Sequence, residues 1–138
     1  MGIDVTVLLD THTLLWWTSA PKLLSPKVRK LLDGAGDRLV SAMSCWEISM
    51  LAASGRIVLS RPVSQWVTDL FASGAAFPAP VTPAIGVRAG SLGAAGFHGD
   101  PADRILWSTA AELGVPFLSK DDRIRKFGRV NHEVKVIW

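Results

Sequence analysis

Two hydrophobic patterns take turns along the chain: short apolar runs bounded by turn-forming residues, and longer stretches whose apolar residues return at helical spacing. The run VTVLL ends at Asp10 and predicts a buried strand, and THTLLWW predicts a helix that stops by Pro21. Ser25-Pro26 supplies an N-cap and a first-turn proline for a helix through VRKLL that ends at Gly34. RLVSA predicts a second strand, and Ser44 and Glu47 of SCWE are spaced as a capping box for a helix to about Gly55. Pro62 to Phe71 is a further helical stretch, and the two prolines of FPAPV restrict that segment to an edge strand. Thr82-Pro83 caps a short helix, and Asp100-Pro101 repeats the device for ADRILWSTAAEL, which Gly114 ends. VPFLS predicts another strand, Asp121 or Asp122 caps a short helix, and VKVIW closes the chain as a strand.

Strand followed by helix, repeated, predicts an α/β fold with a mostly parallel central sheet, because parallel strands need crossover helices that cover both faces. No internal repeat or long linker divides the 138 residues, so one domain over 1–138 is expected. An apolar content of 49% is enough for a core without disulfides, and the single Cys45 excludes an intrachain disulfide framework. A reducing cytoplasm suits this composition. VTVLLDTHTLLWW carries Asp10 and His12 at its centre and lacks a basic leader, so neither a signal peptide nor a membrane span is expected.

In parallel α/β sheets, ligands bind beyond the carboxyl ends of the strands. That rule changes the meaning of the acids. Asp10 follows the first strand, Glu47 lies in the helix after the second, and Asp121 follows VPFLS. Asp100 and Asp103 open the helix before that last strand. Each has a structural role open to it as a cap or first-turn acid. Asp10 is the hardest to explain that way, since a carboxylate at the end of a buried strand needs a compensating partner. Two carboxylates about 5 Å apart repel by about 3 kcal/mol at an effective dielectric near 20, more than a cap contributes. Convergence of several therefore implies a cation, and oxygen ligands favour Mg²⁺ or Mn²⁺ over zinc.

The net charge of +3 leans towards anionic partners, and Arg104, Lys120, Arg123, Arg125, Lys126 and Arg129 lie close in sequence to the acids. His12 is expected to pack and hydrogen-bond rather than to ligate, and His98 is left outside the catalytic set. Trp16, Trp17, Trp46, Trp66 and Trp107 are expected to fill the core or an interface, and Cys45 to act as a small buried hydrophobe.

LLDTHTLLWW, SAMSCWEIS, HGDPADRILWSTAAELGVPFLSKDD and VKVIW, in that order, resemble the PIN-domain ribonucleases, specifically the toxins of the VapBC toxin-antitoxin type. The resemblance implies a three-layer α/β/α PIN-like nuclease domain and a metal-dependent endoribonuclease with Mg²⁺ or Mn²⁺ as cofactor. It makes Asp10, Glu47, Asp103 and Asp121 the catalytic acids, with Asp100 added to them as metal ligands and Ser119 beside the last; Asp122 is a spare. Arg104, Lys120, Arg123 and Arg125 become candidate phosphate contacts. It further implies an RNA substrate, a homodimer, and a small antitoxin whose C-terminal segment lies in an apolar groove and blocks the metal site. Leu51 and Ala102 depart from the family, which often has lysine and phenylalanine there. Two other readings are an aspartyl phosphomonoesterase, though His12 stands where a second acid is wanted, and a non-catalytic nucleic-acid-binding module.

Overall fold

The computed structural model describes residues 5–34 and 36–138. Its centre is a parallel sheet of β1 (Val7–Leu9), β2 (Arg38–Ser41), β3 (Phe77–Ala79), β4 (Phe117–Leu118) and β5 (Val136–Ile137), in the order β3-β2-β1-β4-β5. The helices are α1 (Thr11–Ser19), α2 (Pro26–Leu32), α3 (Ala42–Ala53), α4 (Val63–Ala72), α5 (Pro83–Ser91), α6 (Pro101–Leu113) and α7 (Asp122–Val130).

Alternation along the strands divides the core between the two faces. Leu9 and Leu118 pack with Leu14 of α1, Val28 and Leu32 of α2, and Ile48 of α3. Their neighbours Leu8 and Phe117 pack instead with Leu106 and Trp107 of α6 and Ile124 and Phe127 of α7. A sheet buried on both sides is the physical reason β1 reads as an unbroken apolar run. The expected three-layer α/β/α arrangement is thus the one found, and FPAPV does form the edge strand β3.

The start of α3 differs from the sequence expectation. Ser41, the last residue of β2, accepts from the Met43 amide and caps the helix, which begins at Ala42. β2 enters α3 without a loop, so the strand's last residue is already extended enough to cap. Ser44 and Glu47 lie inside the helix, and Glu47 has no capping duty. Among the tryptophans, Trp107 is fully buried, whereas Trp46 is 55% exposed and fills no core.

The switch in strand order places the chain reversal at β1, with β2 on one side and β4 on the other. The carboxyl ends of β1 and β4 lead directly to Asp10 and to Ser119–Asp121. That edge is where the acids gather.

Candidate metal centre

Asp10 ends β1 and caps α1, and it is 7% exposed. Its Oδ1 accepts from the Thr11 amide at 2.8 Å and its Oδ2 from the Ser119 hydroxyl at 2.7 Å. Burial pushes its carboxyl above the ordinary range despite these donors, and nearby Asp121 adds to the rise. Thr11 also reaches across to α3: its hydroxyl donates to Glu47 Oε1 at 2.6 Å and contacts Ser44 Oγ at 3.0 Å. Glu47 is raised by burial too, with Asp10 and Asp100 contributing repulsion against the Thr11 hydrogen bond.

The start of α6 brings in the next two acids. Asp100 is its N-cap, with Oδ1 accepting from the amides of Ala102 and Asp103. Asp103 turns into the cleft, where His98 Nε2 lies 2.6 Å from its Oδ2. Its carboxyl is pushed up to about 6, first by burial and then by Asp10, Asp100 and Asp121, while the His98 hydrogen bond pulls the other way. Asp121 caps α7 through Oδ1, which accepts from the amides of Arg123 and Ile124. Its own amide donates to Ser119 Oγ at 3.1 Å, so Ser119 ties Asp10 to Asp121.

All five acids, Asp10, Glu47, Asp100, Asp103 and Asp121, line one cleft of about 400 Å³ with Thr11, His12, Trp16, Lys120 and Arg123. Ligand-capable atoms of His98, Asp103 and Asp121 lie within 4.8 Å of one another. Carboxylates gathered in one cleft, with the proton affinity of Asp10, Glu47 and Asp103 raised, suit a hard divalent cation, and one imidazole nitrogen beside them suits Mn²⁺ as well as Mg²⁺. A larger groove of about 1020 Å³ shares His12 and Trp16 with the cleft, but its one acid, Asp69, is paired with Arg61. The acids that could hold a metal therefore gather in the smaller cleft.

Several expectations change. His98, set aside on sequence, joins the cluster, and HGDPAD carries the signal in retrospect: the histidine precedes a helix N-terminus that returns Asp103 towards it. Thr11 was not singled out, although a hydroxyl directly after the strand-ending acid is within reach of it. His12 is exposed at the rim, its ring 5.9 Å from Trp16, and is not a packed core histidine. Of the four candidate phosphate contacts, Lys120 and Arg123 line the cleft. Arg104 does not face it freely: its guanidinium donates to the carbonyls of His98 at 2.8 Å and Phe97 at 3.3 Å. Arg125 lines a different cleft. Asp122 is spent on an exposed pair with Lys126. Cys45 is half-buried and its thiol is pushed up by burial, as suits an inert packing residue.

A doubly covered parallel sheet with a carboxylate cleft at its carboxyl edge defines a class of α/β protein whose site could hold a divalent cation. Within that class, the PIN domain family model matches residues 7–130, and the chain belongs to the PIN-domain family. Ribonuclease VapC22 of Mycobacterium tuberculosis is 37% identical over 120 residues, covering 87% of this chain and 90% of that protein. Among solved structures, VapBC2 from Rickettsia felis bound to a DNA fragment of its promoter matches with a TM-score of 0.67 at 13% identity, covering 96% of this chain and 97% of that one. VapBC-1 from nontypeable Haemophilus influenzae matches with a TM-score of 0.64 at 16% identity, covering 96% of both chains.

Proposed function

We propose that this protein is a metal-dependent endoribonuclease, the toxin of a toxin-antitoxin pair, hydrolysing RNA phosphodiester bonds in the cytoplasm. The observation that carries the reading is the convergence of Asp10, Glu47, Asp100, Asp103 and Asp121 on one cleft at the carboxyl edge of the sheet. In this reading Asp10, Glu47, Asp103 and Asp121 are the catalytic acids and, with Asp100, the residues that hold one or two Mg²⁺ or Mn²⁺ ions. A bound divalent cation would supply positive charge among the carboxylates and the Lewis acidity that phosphodiester hydrolysis draws on.

The chain's own residues do the rest. Ser119 and the Thr11 amide fix both oxygens of Asp10, and Thr11 holds Glu47 towards the same space. His98 fixes the orientation of Asp103. Lys120 and Arg123 at the rim offer charge to the phosphate of an entering strand. With both its oxygens engaged, Asp10 is poorly placed as the nucleophile of an aspartyl phosphatase, and the residue two positions on is the exposed His12.

The PIN fold, the 37% identity to a ribonuclease and the likeness to VapBC complexes support the toxin reading. The partner we propose is a cognate antitoxin. Its groove would be the larger one beside the cleft, where Leu15, Trp16, Leu51, Ile57, Leu59 and Trp66 form an apolar lining that shares Trp16 with the acids. The proposed assembly is a homodimer. Among the described residues, no helix is long and apolar enough to cross a membrane.

The test is cleavage of structured and single-stranded RNAs by antitoxin-free protein in Mg²⁺, in Mn²⁺ and in EDTA, beside Asp10→Asn. Metal-dependent cleavage that the variant loses is the expected outcome. Cleavage that persists in EDTA or in Asp10→Asn overturns the assignment.

A further inference from the structure

We infer that the cleft between α7 and β5 is a second RNA-binding site, which takes the phosphate backbone of a single strand whose scissile bond lies among the acids. The inference rests on the ribonuclease reading for its substrate, and on separate residues for its location. Lys27 of α2, Arg125 and Arg129 of α7, and Lys135 just before β5 line this cleft of about 420 Å³, with Trp138 also in its lining and no acid among its lining residues. None of these four cations makes an ion pair among the described residues. The acids closest in sequence to Arg125, Arg129 and Lys135 are already committed, Asp122 to Lys126 and Glu133 to Arg88. Four cations in one concavity repel one another, and a polyanion in the cleft relieves that repulsion. A merely solvated basic face has no need of a concave shape.

The basic cleft is joined to the acid cleft by aromatic side chains. Trp138 packs edge-on against Trp16 with ring centroids 5.7 Å apart, and Trp16 lines the acid cleft. Lys120 Nζ lies 5.6 Å from the Trp16 ring centroid. Lys120 and the Trp16–Trp138 pair thus connect the acid cleft to the cleft that the four cations line. Unpaired bases present π-faces to tryptophan and a duplex does not, so this sequence of groups fits a single strand.

The probe is fluorescein-labelled oligouridine of about 16 nucleotides, within the range of single-strand binding sites, titrated in EDTA so that cleavage is absent. Two variants are used, Arg129→Glu with Lys135→Glu, and Lys27→Glu on a separate element; both alter exposed side chains, and melting curves confirm folding. For the double variant, the affinity is expected to fall on the order of tenfold and the slope of log affinity against log salt to flatten by about 1.4, two single-strand contacts at about 0.7 each. In Mn²⁺ the same oligonucleotide should show a raised KM with little change in kcat. An affinity and salt slope that both variants leave unchanged, no binding by the wild type, or tighter binding of duplex DNA through the same residues each overturns the inference. Binding that depends on these residues without cleavage in any metal would instead sink the ribonuclease reading and leave the RNA site standing.

Discussion

Asp10 shows how much one residue can be asked to do. It ends a strand, caps a helix, and lies 7% exposed beside other acids, held by Ser119 and the Thr11 amide. Those donors keep the carboxylate in place, yet burial still raises its proton affinity. The negative charge at this point is therefore unfavourable in the metal-free protein, and a proton or a bound cation relieves it. Asp10→Asn should leave the metal-free melting temperature unchanged or higher, because the asparagine oxygen still accepts from the Thr11 amide, its NH2 can donate to a Ser119 hydroxyl turned to accept, and it carries no charge. The same variant should abolish the Mn²⁺-induced rise, where ligand at about 100 times its Kd stabilises a wild-type site by about 2.7 kcal/mol. Melting curves with and without Mn²⁺ check both halves, and a residual metal shift in the variant would show that Asp10 is not a ligand.

At the scale of elements, helix termini aim the acids. Asp121 spends Oδ1 on two α7 amides, which fixes its side chain at the mouth of the cleft. Asp121→Asn should keep the cap and lose metal affinity, whereas Asp121→Ala should lose metal affinity and in addition about 1 kcal/mol of stability. Comparing metal-free denaturation of the two variants separates capping from ligation. The start of α6 is aimed by Arg104, which clamps the Phe97 and His98 carbonyls to the helix. Gly93 leaves room for it, since a Cβ there would stand 3.2 Å from Arg104 Nη2. Phe97 stacks on His98 with centroids 4.4 Å apart and meets Trp107 and Phe127 on its other contacts, so the histidine loop is anchored in the core. Arg104→Ala should lower stability by about 1–3 kcal/mol through the carbonyls it leaves unpaired. It should also weaken Mn²⁺ binding by releasing His98 from Asp103, which isothermal titration would read. Arg104→Lys should not rescue it, because an ammonium lacks the planar fork.

For the molecule as a whole, the acid cleft sets a sign on pH dependence. Asp103 titrates at about 6 in the fold against an ordinary 3.8, so between those values the folded state holds more protons than the unfolded one. The stability this contributes is full below the ordinary value and is lost as pH rises through about 6, at up to about 1.4 kcal/mol per pH unit for one group. Asp10 and Glu47 are raised as well and act in the same direction. Metal binding has the opposite slope, since it needs the carboxylates ionised. Thermal melts should therefore show the Mn²⁺-induced shift growing from about pH 5 to about pH 7.5 while the metal-free stabilisation from these acids declines. A metal shift that is flat across that range would contradict ligation by Asp103.

Much of this architecture is legible in the chain. Periodicity and caps locate β1, α6 and β4, because a doubly buried strand must be apolar throughout and a helix start must satisfy its free amides. Asp10, Asp103 and Asp121 can be singled out because each follows or opens such an element, whereas Glu47 is singled out as part of a capping box and lies inside α3 instead. The start of α3 escaped, since Ser41 and Ser44 are both competent caps and only the loopless join from β2 selects Ser41. Tertiary structure alone decided which groups face one another. That His98 meets Asp103, that Thr11 holds Glu47, and that Arg104 serves two carbonyls while Arg125 lines another cleft depend on strand order and on the rotation of each helix about its axis. Sequence spacing does not fix these arrangements, because local propensity acts over one turn, whereas Thr11–Glu47 joins α1 to α3 and the His98 and Arg104 contacts depend on how the loop before α6 folds back on that helix.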